Sequence, residues 1–130
     1  MNLRARFAIL LVMHSAAVVD HFKNPRNAGD LPDATAAVDV SNPVCGDVLR
    51  LSVRVDAGKI SAVRFKAQGC VATVASASAL TELLIGKSLN EAWAVTAAKI
   101  SDSLGGLPPA TFHGAQLASD ALVALFAKLK

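Results

Sequence analysis

Two runs of strict alternation, joined by a tight reversal, constrain this chain more than any other feature. From Val48 onward Leu49, Leu51, Val53 and Val55 alternate with Arg50, Ser52 and Arg54, and later Val63, Phe65 and Ala67 alternate with Arg64 and Lys66. A period of two belongs to a strand with one face on a core and the other in water. Asp56-Ala57-Gly58-Lys59 between the runs reads as a hairpin turn. The two strands are therefore antiparallel neighbours in a sheet with one wet face. Ala37–Val40 reads as a third, short strand.

The remaining chain reads as helices and loops. A helix through Val18, Val19 and Phe22 stops near Asn24, because Pro25 disfavours helical backbone in the residue before it. His21 on that helix reads as a surface or capping residue. Val71 to Ile85 reads as a helix with small residues (Ala72, Ala75, Ser76, Ala79) along one side, closed by Gly86. Ser88-Leu89-Asn90-Glu91 has the spacing of a capping box and opens a short helix through Trp93. Another short helix covers Thr96 to Leu104 before Gly105-Gly106. Leu107-Pro108-Pro109-Ala110 is a rigid, exposed, extended turn, since proline fits neither a ladder nor a helix interior. The last helix carries Leu117, Ala121, Leu122, Leu125 and Leu129 as its apolar stripe, with His113 just before it. The expected class is α+β: a small antiparallel three-stranded sheet packed against several helices, in one domain spanning residues 1–130.

Composition limits what such a domain can do. Thirteen Lys/Arg against ten Asp/Glu give a formal charge of +3, spread without blocks or interleaved aromatics, which argues against nucleic-acid binding. Two cysteines cannot form a secreted disulfide framework, so a reducing, cytoplasmic setting is expected. Residues 1–12 read as a possible N-terminal extension: Arg4 and Arg6 precede an apolar run from Phe7 to Met13 that is too short to span a membrane. That segment is compatible with a signal peptide, with an amphipathic first helix, or with an upstream start codon before a domain that begins at Met13.

Four side chains able to bind metal fall at element ends: Cys45, Asp47, Cys70 and His113. Cys45 and Asp47 flank a single glycine at the mouth of a strand, and side chains two apart on extended backbone share a face. Cys70 precedes a helix, where unpaired N–H groups and the helix dipole favour an anion. Two Cys, one His and one Asp suit a tetrahedral Zn²⁺ or part of an iron-sulfur site. The separations, 70−45=25 and 113−70=43, mean that only the fold can unite them. Cys70, His113 and Asp47 can also be cast as nucleophile, base and orienter, but no stretch marks a substrate pocket or an oxyanion hole, and an enzyme is not expected.

Several strings in order resemble the IscU / NifU N-terminal family of iron-sulfur cluster assembly scaffolds. They are Asp20-His21-Phe22-Lys23-Asn24-Pro25-Arg26-Asn27, Pro43-Val44-Cys45-Gly46-Asp47, Arg64-Phe65-Lys66-Ala67-Gln68-Gly69-Cys70, Thr81-Glu82 with Gly86-Lys87-Ser88, and Leu107-Pro108-Pro109. The resemblance implies a non-enzymatic scaffold or carrier that binds iron or a labile Fe-S cluster, [2Fe-2S] in type, through Cys45, Asp47, Cys70 and His113. It also implies a cysteine desulfurase and apo Fe-S proteins as partners, with Leu107, Pro108 and Pro109 as contacts for an Hsp70-type chaperone and no membrane or nucleic acid involved. Two departures stand out. Gly114 occupies the position of the family's third cysteine, and Ala110-Thr111 replaces the Val-Lys of the chaperone motif. A zinc-binding structural or regulatory relative without cluster-building activity is the alternative.

Overall fold

The computed structural model describes residues 14–43 and 46–129. Its elements are α1 (Ala16–Lys23), β1 (Ala36–Asn42), β2 (Asp47–Asp56), β3 (Lys59–Gln68), α2 (Val71–Leu84), α3 (Leu89–Trp93), α4 (Ala97–Ser103) and α5 (Phe112–Leu129). Among the described residues the strands form one antiparallel sheet in the order β1-β2-β3, which gives the expected α+β class. The signal-peptide-like stretch up to Met13 lies outside the described residues, as do Val44 and Cys45.

The hairpin forms where the alternation breaks. Ala57 (φ 53°) and Gly58 (φ 76°) both take left-handed backbone, as a two-residue turn between twisted strands requires. Val55 faces Ile60 but Arg54 faces Ala62, so Ser61 is an extra residue that bulges β3 and shifts the register by one. Beyond the bulge the pairing runs regularly to Val48 opposite Gln68. β1 is longer than the expected Ala37–Val40, because pairing with β2 extends it from Ala36 to Asn42.

Leu49, Leu51, Val53, Val63 and Phe65 bury one face of the sheet against α2 and α5. The opposite face is less wet than alternation implies. Asp30 and Asp33 of the α1–β1 loop pair with Lys66 and Arg54 on that face, and Ser52 there is buried. The small residues of α2 are also not confined to one side. Ala72, Ala75, Ser76, Ala77, Ser78 and Ala79 are all buried, because α1, β3 and α5 pack around the helix at once and each needs close approach. Both reciprocal bonds of the Ser88/Glu91 capping box are present, and Ser15 and Thr96 cap α1 and α4.

His21 is buried rather than a surface cap. Its Nδ1 lies 2.8 Å from Ser78 Oγ and its Nε2 lies 3.4 Å from Glu82. The same Ser78 Oγ accepts the Arg26 backbone N–H, while Asn27 donates to Thr81. Gly29 N–H donates to Phe65 O, and Phe65 N–H donates to Asn27 O. The Asp20–Asn27 string is thus architectural: it ties α1 to α2 and covers part of the β3 edge.

Burial, followed by the Arg26 guanidinium, holds the His21 pKa below the ordinary histidine value against the opposing pull of Glu82 and Asp20. The unfolded chain therefore takes up the His21 proton first as pH falls, and stability drops below about pH 6.5, by at most about 1.4 kcal/mol per pH unit from this group. Urea unfolding at a series of pH values from 8 to 5 should show this decline, and His21→Gln should flatten it.

Candidate metal centre

The hairpin register builds half of the site. Asp47 opens β2 on the same face as Leu49 and Leu51, so its carboxylate, 3 % exposed, is the last group of the buried face. Pairing of Val48 with Gln68 brings Asp47 alongside Gly69 at the end of β3. Gly69 has φ +154°, and a Cβ there would fall on the Asp47 carboxylate. A glycine is needed for both reasons. The next residue, Cys70, occupies the N-cap position of α2 with extended backbone, and its exposed side chain makes no capping bond.

The other half comes from α5. His113 sits inside the first turn of that helix rather than before it, because Thr111 N–H bonds back to Pro108 O and α5 begins at Phe112. His113 Nε2 lies 3.4 Å from Cys70 Sγ and 3.5 Å from Asp47 Oδ2. Thr73 Oγ1 donates to Asp47 Oδ2 at 2.7 Å and lies 3.3 Å from Cys70 Sγ. One ligand atom each from Asp47, Cys70 and His113 lies within 4.8 Å of the others. Three of the four expected ligands therefore converge, and the fourth, Cys45, lies outside the described residues.

The direction of the contacts limits the chemistry. A nucleophile–base–orienter relay uses both imidazole nitrogens, one facing the nucleophile and the other facing the carboxylate. Here Nε2 alone faces both Cys70 and Asp47. Donors that converge on one point, soft sulfur with imidazole and carboxylate, suit a shared metal ion instead. An open groove lined by Asn42, Pro43, Pro109, Phe112, His113 and Gln116 reaches the His113 side of the site.

Gly114 is more than a missing thiol. A Cβ at this position would stand 2.8 Å from the carbonyl carbon and oxygen of Ala72 and 2.9 Å from the Thr73 nitrogen. The first turns of α2 and α5 touch backbone to backbone, and that contact carries His113 to Cys70. Leu107 is half-buried, with its N–H donating to Ser101 Oγ, while Pro108 and Pro109 are exposed as expected.

With the geometry in place, comparison with known proteins identifies the relatives. The family model described as NifU-like N terminal domain matches residues 13–130, and the chain belongs to this family. It is 42% identical over 121 residues to the iron-sulfur cluster assembly scaffold protein IscU of Escherichia coli, covering 90% of this chain and 94% of that one. It is also 42% identical over 110 residues to IscU 1 of Archaeoglobus fulgidus, covering 85% of this chain and 72% of that protein. Among solved structures, a candidate scaffold protein for the SUF system from Fervidobacterium islandicum shares the fold, with a TM-score of 0.74 at 23% identity over 88% of this chain and 96% of that one.

Sequence reading passed over Thr73 and the steric demand at Gly69. The available signal for Thr73 was its place three residues after Cys70, since a side chain at the third helical position points back toward the N-cap. Gly114 yields a prediction that a simple count of ligands would reverse. Gly114→Cys forces backbone apart, and should lower stability by about 1–3 kcal/mol. Urea unfolding followed by circular dichroism measures this; wild-type stability in the variant would mean that α2 and α5 separate without cost.

Proposed function

We propose that this chain is an iron-sulfur cluster assembly scaffold, holding iron or a labile [2Fe-2S] cluster as cargo at Cys45, Asp47, Cys70 and His113. The observation that carries the reading is the convergence of Asp47, Cys70 and His113 within 4.8 Å from three separate elements. Cys45 is assigned to the set because it stands two residues before Asp47 within the Pro43–Asp47 string. Two thiolates are supplied where an all-cysteine site has four, and imidazole ligation is known to raise a cluster's reduction potential. Such a site holds its cargo less tightly than four thiolates would, which suits handing it on. The names of the relatives favour iron-sulfur cargo over zinc.

Sulfur comes from a cysteine desulfurase and the finished cluster goes to apo Fe-S proteins. Cys70, exposed at the N-terminal end of α2, is the thiol presented to a donor among the described residues. The exposed Pro108-Pro109 turn, just before α5, is the contact offered to an Hsp70-type chaperone, although Ala110-Thr111 brings no positive charge to it.

Anaerobic reconstitution with ferrous iron, sulfide and thiol tests the reading. Wild type should develop a visible chromophore with matching iron and sulfide, and Cys45→Ala and Cys70→Ala should each lose bound iron by about a hundredfold or more, at or beyond the upper end of the cost of losing an outer-shell partner. A colourless wild type that retains stoichiometric zinc would overturn it.

A further inference from the structure

Thr73 stands between two of the ligands and belongs to neither of the strings that supply them. It occupies the third position of α2, is 1 % exposed, and its side chain leans back toward the N-terminus of the helix. That direction places Oγ1 2.7 Å from Asp47 Oδ2 and 3.3 Å from Cys70 Sγ. A buried carboxylate needs a donor, and among the described residues Thr73 supplies the side-chain hydrogen bond to this one.

We propose that Thr73 is a positioning residue of the metal centre, fixing the Asp47 carboxylate so that it faces the point shared by Cys70 and His113. The proposal rests on the metal-centre reading above. The hydroxyl has one proton to give. Donated to Asp47 Oδ2, that proton leaves Oγ1 able to accept from Cys70 Sγ 3.3 Å away. Thr73 thus holds the carboxylate while touching a second ligand of the set. Its methyl group and backbone do none of this, so the hydroxyl alone should account for the effect. Partners that orient a ligating carboxylate in this way set metal affinity without touching the metal.

The test is anaerobic titration of the metal-free, reduced full chain with Co²⁺, read by its d–d and thiolate-to-cobalt charge-transfer bands. Thr73→Val, isosteric but without a donor, should bind Co²⁺ about 10- to 100-fold more weakly with altered d–d bands, as for other outer-shell losses, and Thr73→Ser should restore the wild-type spectrum. In an Asp47→Ala background, which removes the acceptor, Thr73→Val should cost nothing further, because the two residues act through one bond. Wild-type affinity in Thr73→Val, or the same loss in both backgrounds, would overturn the proposal while leaving the metal centre standing. Failure of wild type itself to bind Co²⁺ would remove the metal centre and this proposal with it. Circular dichroism checks folding, and Thr73→Ala carries the same comparisons if the valine variant does not fold.

Discussion

The contact on which the site depends is the one made with no side chain at all, where Gly114 lets the first turn of α5 rest on the backbone of Ala72 and Thr73. Helix axes normally stand apart by the width of their side chains, some 8–10 Å. Removing the side chain at the crossing lets the N-terminal ends close in, and the two residues that gain from it are its neighbours, His113 and Thr73. The imidazole then reaches Cys70 and Asp47 together, and the threonine hydroxyl lies below them. Gly114 therefore shapes the site without supplying a ligand to it.

The second constraint is the enclosure of α2. A helix packed on three sides needs small side chains where its neighbours come closest, and the Ala- and Ser-rich run from Ala72 to Ala79 answers that requirement before Leu80 and Leu84 fill the core beyond it. Small side chains make few contacts each, so neighbouring elements must come close along this run. His21, Arg26 and Asn27 meet this need from the α1 side with hydrogen bonds to Ser78 and Thr81 rather than with apolar bulk. The candidate metal centre at the N-terminal end of α2 and the polar lock nearer its C-terminal end are two uses of the same closely approached helix.

Much of this was legible in the sequence, and the pattern of misses is physical. The hairpin, the capping box, the α+β class and the convergence of Asp47, Cys70 and His113 followed from alternation, spacing and family-like strings. What failed depended on packing between distant segments. His21 looked like a surface residue because its partners Ser78 and Glu82 lie more than fifty residues away. The small residues of α2 were assigned one side because a periodicity cannot say how many neighbours a helix will have. β1 was read three residues short because its ends are held by β2 rather than by their own propensity. Gly114 was read as a lost ligand, since nothing in a linear string reveals that another backbone lies against it.

The three-element origin of the site also sets an order of assembly. Asp47 and Cys70 are joined through a local hairpin whose register is fixed by the Ala57-Gly58 turn and the Ser61 bulge, so contacts of short sequence separation suffice to bring them together. His113 arrives only by long-range docking of α5 across α2. A chain folded as far as α4 has a carboxylate and a thiol side by side without an imidazole between them, and the closing contact at Gly114 has not formed. The full set of Asp47, Cys70 and His113 therefore exists only where α5 has docked on α2.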